Sequence, residues 1–283
     1  MSNPIPVIET PSLRMPKLGF GTWRLAGKEG EAAIESALAL GYRHLDTAEM
    51  YGNEAEVGAA IARSGVPRAE LFVTTKAWPL TPDGKDKLTP RGILEAAQDS
   101  LGRLVLDQVD LYLIHWPGPA MNLAAAIEGL VAVRDAGLAR AVGVANFPVG
   151  LLRRAIGEIG APIAAVQVEY HAELSQDRLL DYLRPLGIPL TAYSPLAKGE
   201  LRDEPVLARI GEKHGVSAAQ VALAWLLEQE GVAAIPKAAS RRSQEANLAA
   251  LAVKLDEVDR AAIDGLPKDR RRVSPAFAPD WSA

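Results

Sequence analysis

The chain has no cysteine. Disulfides, thiolate metal sites and thiol nucleophiles are therefore excluded. Histidine is scarce, occurring only at 44, 115, 171 and 214. That spacing suits no metal-ligand set, so no metal is expected. Aromatic residues make up 5% of the 283 positions. No run of about 20 apolar residues occurs, so no membrane span is expected. The opening MSNPIPVIETPSLRMPKLGF lacks a basic region followed by an apolar stretch, so no secretory signal is read. Neither charge sign dominates: 31 Lys and Arg stand against 35 Asp and Glu, a net charge of −4. That weakly acidic balance argues against nucleic acid or an anionic membrane as partner. What remains is a globular, cytoplasmic protein whose 48% hydrophobic content can build a large core.

What the chain does have is alternation. Short β-rich runs stand at 18–22, 42–46, 71–76, 110–115, 140–146, 164–170, 188–193 and 232–237. Helical patterns lie between them, at 30–40, 54–63, 89–104, 122–136, 150–159, 177–185 and 217–230. The segment 89–104 is the clearest. Thr89 suits an N-cap and Pro90 the first helical position, and Ile93, Leu94, Ala97, Leu101 and Leu104 recur on one face. Ser217 and Gln220 form a capping-box pattern, and Gly231 a stop. No GxGxxG follows any of the strands, which argues against a Rossmann dinucleotide site. Eight strand–helix units in a chain of this length predict an α/β fold: a single (β/α)8 TIM barrel spanning 1–283. A small N-terminal β-hairpin precedes it, and a Pro- and Arg-rich surface loop follows residue 266.

A barrel of this kind carries its active site at the C-terminal ends of its strands. Those positions here hold Thr22 and Trp23, Asp46, Lys76, His115, Asn146, Gln167, Tyr193 and Ser194, and Lys237. Tyr51 lies in the loop after Asp46. An Asp–Lys pair, taken alone, is more often a structural salt bridge, and a loop tyrosine more often packs. Their recurrence at successive strand ends points to chemistry. A lysine cation beside a phenol favours the phenolate and lowers its pKa. Asp46 can hold Lys76, Tyr51 can give a proton to a developing alkoxide, and His115 can hydrogen-bond the same oxygen. Such a site activates a carbonyl for reduction but holds no hydride, so a nicotinamide cofactor is required.

The runs GYRHLDTAEMYGNEAEVG (41–58) and LYLIHWP (111–117) resemble signature segments of the aldo-keto reductases. GVANF (143–147), VQVEYH (166–171), AYSPLAKG (192–199) and IPKAASRRSQEANL (235–248) follow in that family's order. The whole, including DRRRVSPAFAPDW (269–281), resembles the bacterial 2,5-diketo-D-gluconate reductases, in particular the short B-type branch also linked to methylglyoxal reduction. The resemblance implies a monomeric barrel that binds NADPH across its mouth, with Asp46, Tyr51, Lys76 and His115 as a catalytic tetrad and Tyr51 as general acid. It implies that Asn146 and Gln167 hold the nicotinamide carboxamide and that Tyr193 stacks on the ring. Ser194, Leu196 and Gly199 would follow the pyrophosphate, and Lys237 with the residues after it the 2′-phosphate. Gly21, Thr22, Asp46 and Asn247 complete the implied cofactor contacts.

Two positions depart from the family pattern. Ala145 replaces a frequent Ser, which removes a hydrogen bond to the carboxamide worth about 1 kcal/mol. Ser243 stands where an Arg is common, while Arg241 and Arg242 lie just before it, and either could grip a phosphate. For the substrate, Trp23, Trp78 and Trp116, with Tyr51, His115 and Phe147 nearby, suggest a pocket wall, or else core filling at the barrel end. Short loops around them predict an open pocket for small aldehydes, ketones, α-dicarbonyls such as methylglyoxal, or keto-sugars such as 2,5-diketo-D-gluconate. Trp281 either folds over the mouth or belongs to a disordered tail. The expected activity is NADPH-dependent carbonyl reduction. The alternative is a non-enzymatic NADP(H)-binding sensor or regulatory subunit on the same barrel. A barrel hydrolase using Asp46 or Glu49 would need a second converging carboxylate, and Glu169 alone offers one.

Overall fold

The computed structural model describes residues 4–282. An antiparallel hairpin, β1 (Val7–Glu9) with β2 (Arg14–Pro16), comes first. Eight parallel strands follow: β3 (Phe20–Gly21), β4 (His44–Asp46), β5 (Phe72–Ala77), β6 (Val109–Ile114), β7 (Ala139–Ala145), β8 (Ile163–Glu169), β9 (Leu190–Tyr193) and β10 (Val232–Ala234). They pair in sequence order from β3 to β10. Leu18 and Ala234 then bridge in parallel, and Gly19 N donates to Ala234 O at 2.9 Å, which closes the sheet into a (β/α)8 barrel. Closure also explains Gly21: a Cβ there would stand 2.7 Å from the Ile235 carbonyl oxygen.

The helices are α1 (Gly27–Ala39), α2 (Glu54–Ser64), α3 (Pro90–Leu104), α4 (Leu123–Asp135), α5 (Val149–Leu152, continued by a π-helical Arg153–Glu158), α6 (Asp177–Leu183), α7 (Pro205–His214), α8 (Ala218–Glu228), α9 (Arg241–Ala249) and α10 (Glu257–Asp264). Thr89 caps α3 by accepting from Gly92 N, and Ser217 with Gln220 forms the capping box of α8. Helix α8 ends at Glu228, short of the expected stop, and Gly231 uses a φ of +70° to turn into β10. Helices α7, α9 and α10 lie outside the helical stretches read from the sequence, although α7 and α10 are amphipathic.

Two cores follow from the strands' two faces. Outside the barrel, residues such as Leu45, Val73, Ile114, Val144 and Val166 pack against Ile34, Val57, Ile93, Leu130 and Leu152 of the helices. Inside, Phe72, Leu111, Leu113, Ala141, Ala164 and Ala233 pack with Leu13 and Met15 of the hairpin segment. The hairpin therefore plugs one end of the barrel, and the strand C-termini open at the other.

The segment after 266 is more than a surface loop. Lys268 Nζ donates to Ala172 O at 2.7 Å and Ile263 O at 2.8 Å. Arg270 and Arg272 both pair with Glu173. Glu169, fully buried, accepts from Arg272 N at 2.8 Å and Val273 N at 2.9 Å. A run of arginines reads as solvated when no partner is visible nearby in sequence; its acidic partners here lie about a hundred residues away.

Candidate active site

The open end brings the four expected side chains together. Asp46 ends β4 and Lys76 is the penultimate residue of β5, its neighbour in the sheet. Lys76 Nζ donates to Asp46 Oδ1 at 2.5 Å and to Thr47 O at 2.8 Å. Both side chains are sealed from solvent, 0% and 1% exposed. Tyr51 closes a helical turn whose cap, Gly52, sits at φ +64°. Lys76 Nζ lies 5.1 Å from the Tyr51 ring centroid, and the Tyr51 and His115 rings meet edge-on at 5.7 Å.

The electrostatics correct one expectation. Burial pushes the Tyr51 phenol well above its ordinary range, with the Asp46 carboxylate and then Tyr193 adding to the rise. Lys76 does not produce the expected lowering. Asp46 covers most of its charge, and dehydrating a phenolate costs more than the residual field returns. Burial likewise lowers the Lys76 ammonium, against the pull of Asp46. His115 is pushed well below the ordinary imidazole value, first by burial and then by Lys76, so it is neutral at pH 7. Its Nδ1 is buried without a hydrogen-bond partner among the described residues.

The residues implied for a cofactor divide into groups. Asn146, in the left-handed region at φ +63°, donates through Nδ2 to His115 O at 2.9 Å and accepts from the Tyr193 hydroxyl at 2.8 Å. Gln167 Nε2 donates to Asp46 Oδ2 at 2.7 Å. Ala145 is buried and offers no hydroxyl. Thr22 donates through Oγ1 to Asp46 O at 3.0 Å. Gly21 serves barrel closure, as described above. Ser194, Ala197, Lys198 and Gly199 all have positive φ, which winds the segment carrying Leu196 tightly past the end of β9. Lys237, Arg241 and Arg242 are exposed around the start of α9. Arg241 pairs with Glu245 one turn on, whereas Arg242 has no ion-pair partner among the described residues. Asn247 is buried beside the Tyr42 hydroxyl.

The tryptophans split between wall and core. Trp23 is 42% exposed and packs edge-on to Tyr51 at 4.8 Å. Trp78 meets His115 at 5.3 Å, and Trp116 is buried. The tail then adds what the sequence did not announce. Phe277 packs against Trp78 at 5.7 Å and Trp116 at 6.2 Å, and Trp281 against Trp116 at 6.1 Å. Trp281 thus packs onto Trp116 beside the mouth. Two side chains take a supporting role that the sequence reading did not give them. Asn53 is buried and donates to Thr22 O at 2.8 Å and Leu25 O at 2.7 Å, fixing the Tyr51 loop to the first strand end. Glu49 accepts from Trp78 N at 3.1 Å and pairs with Lys87. Their only sequence signal is proximity to Tyr51.

Comparison with known proteins matches residues 17–268 to the model of the Aldo/keto reductase family. The chain belongs to the aldo/keto reductases. It is 41% identical to the methylglyoxal reductase DkgB of Escherichia coli O157:H7 over 273 residues, covering 95% of this chain and 100% of that protein. It is 38% identical to an aldo-keto reductase of Mycobacterium sp. (strain KMS), covering 92% of each. A crystal structure described as a 2,5-diketo-D-gluconic acid reductase B superposes with a TM-score of 0.89 at 42% identity, over 95% of this chain and 94% of that one. The aldo-keto reductase AKR2E5, solved with NADPH, gives a TM-score of 0.88 at 30% identity, over 98% of this chain and 92% of that one.

Proposed function

We propose that this aldo/keto reductase uses NADPH to reduce small aldehydes and α-dicarbonyls, methylglyoxal among them, with Tyr51 as general acid. The observation that carries the reading is the buried chain Gln167–Asp46–Lys76 set beside Tyr51 and His115. The similarity to methylglyoxal reductases supports the substrate class.

The residues at the mouth suit a dinucleotide. The amides of Asn146 and Gln167 lie beside the tetrad, and three exposed cations stand around the start of α9. Lys237 and Arg242 are free of ion pairs among the described residues and suit a phosphate monoester. Bound there, NADPH supplies the hydride.

The protein's own work is proton transfer and orientation. A phenol held above its ordinary pKa keeps its proton at neutral pH, so Tyr51 meets the carbonyl oxygen as an acid. Lys76 faces the tyrosine ring and offsets the negative charge left when that proton moves. Neutral His115 can donate one hydrogen bond to the same oxygen and aim it. Trp23, Trp78 and Phe277 exclude water around it.

The test is NADPH oxidation by the purified protein with methylglyoxal. Turnover is expected, with kcat lowered about a hundredfold or more in Tyr51→Phe, in the range of lost acid catalysis. A loss below about tenfold would remove Tyr51 from the role. Tight NADPH binding without turnover on a broad carbonyl panel would favour the sensor alternative. The ratio of kcat/KM for NADPH and NADH tests the cofactor.

A further inference from the structure

Strand β5 runs on past one of its two neighbours. Its ladder with β4 ends where Asp46 faces Thr74, while β5 continues to Ala77 and pairs there with Ile114 of β6. Ala77 O is directed to β6 and accepts from His115 N at 3.0 Å. Successive residues of a strand turn their backbone groups to opposite neighbours. The N–H of the next residue, Trp78, is therefore directed to the other side, where β4 has already ended at Asp46.

Glu49 supplies the missing acceptor. Its Oε2 takes the Trp78 N–H at 3.1 Å, and its Oε1 is held by the Lys87 ammonium. Glu49 also opens the helical turn that Tyr51 closes. One carboxylate thus ties the Tyr51 turn to the backbone of the residue whose ring meets His115.

The ring depends on that tie. Trp78 is half-buried, with His115 and Phe277 packed edge-on at 5.3 and 5.7 Å. A cavity of about 290 Å³ also borders it, lined in part by Met50, Leu80 and Lys87. Packing alone leaves the indole room to swing toward that space, so a fixed backbone must set its direction. A misplacement of about 1 Å in a group that orients substrate can cost about a hundredfold. We propose that Glu49 is a positioning residue of the substrate pocket: through the Trp78 N–H it holds the indole against His115 and thereby sets KM for the carbonyl. The effect on KM rests on the reductase reading, whereas the placement of Trp78 belongs to the folded chain.

The test joins steady-state kinetics to NMR of the indole N–H groups, with the Trp78 signal identified by its loss in Trp78→Phe. In Glu49→Ala the Trp78 indole signal should shift, and that of Trp225, in α8, should not. KM for methylglyoxal should rise about five- to tenfold, with kcat and NADPH affinity held within about twofold. Glu49→Gln keeps a carbonyl oxygen for the Trp78 N–H and should bring KM and the indole signal back near the parent values. In a Trp78→Ala background, Glu49→Ala should change KM by no more than about twofold, because the ring it places is gone. A role confined to stability would act equally in both backgrounds. Three results overturn the proposal: an indole signal or a KM unchanged in Glu49→Ala, a KM rise that Glu49→Gln fails to reverse, or the same rise in the Trp78→Ala background. Absence of all turnover would sink the reductase reading and the effect on KM with it, while the indole shift would still report the placement.

Discussion

Gln167 Nε2 donates to the same carboxylate, Asp46, that receives Lys76 Nζ: one oxygen takes the amide at 2.7 Å, the other the ammonium at 2.5 Å. Gln167 ends up tied to the Lys76–Asp46 pair beside Tyr51 through a single buried group. Gln167→Leu removes a hydrogen bond to a buried charged group, so a stability loss of about 1.5–3 kcal/mol is expected from denaturant unfolding. NADPH affinity, read by fluorescence titration, should fall as well, because the amide proposed to hold the carboxamide is gone. Unchanged affinity would leave Gln167 as a support for Asp46 only.

Lys76→Met should destabilise the fold by about 3–5 kcal/mol, since it strands the Asp46 carboxylate in an interior with no solvent access. The double variant Lys76→Met with Asp46→Leu should recover much of that loss, because the orphaned charge leaves with its partner. Activity should not recover. Stability restored without kcat would separate the architectural part of the pair from its part in proton donation.

The barrel, and the grouping of Asp46, Tyr51, Lys76 and His115 at its mouth, were legible in the sequence for a physical reason. Strand–helix alternation and polar strand ends are local, repeating patterns, and together they mark the mouth. What escaped depended on contacts between distant segments. The tail carrying the arginines at 270–272 read as a surface loop because Glu169 and Glu173 are remote in sequence. The acidity of Tyr51 was misjudged because a residue list shows a nearby cation but not the burial that outweighs it. Helix α9 escaped because it begins on two arginines and a serine with few apolar positions.

Two histidines set an acid limit. His115 and His44 both titrate below the ordinary imidazole value of 6.5 in the fold, mainly through burial. Just below 6.5 the unfolded chain takes up protons that the folded chain refuses, so stability rises with pH in that window. Their contribution is complete above about pH 6.5 and is lost as pH falls toward the folded values, by at most about 1.4 kcal/mol per pH unit for each histidine. Denaturant midpoints between pH 7.5 and 5.5 should fall accordingly, and His115→Asn should flatten that slope. An unchanged slope in the variant would mean that His115 titrates in the fold as it does in the unfolded chain.

Phe277 should decide how large a carbonyl the pocket accepts. Its ring stands edge-on to Trp78 and Trp116, and Trp78 in turn meets His115 at 5.3 Å. Phe277→Ala leaves the tetrad and the Glu169 and Glu173 anchors of the tail untouched, because those contacts lie at residues 270–273. Removing the ring unstacks one wall and lets water reach the others. For a small aldehyde KM should rise, with the apolar contact of one aromatic ring worth about 1.5–3 kcal/mol at most. For a bulkier aromatic aldehyde kcat/KM should hold or increase, since the vacated volume admits the larger group. Parallel kinetics on methylglyoxal and a naphthaldehyde would read this directly. A uniform loss on both substrates would mean that Phe277 stiffens the tail and does not shape the pocket.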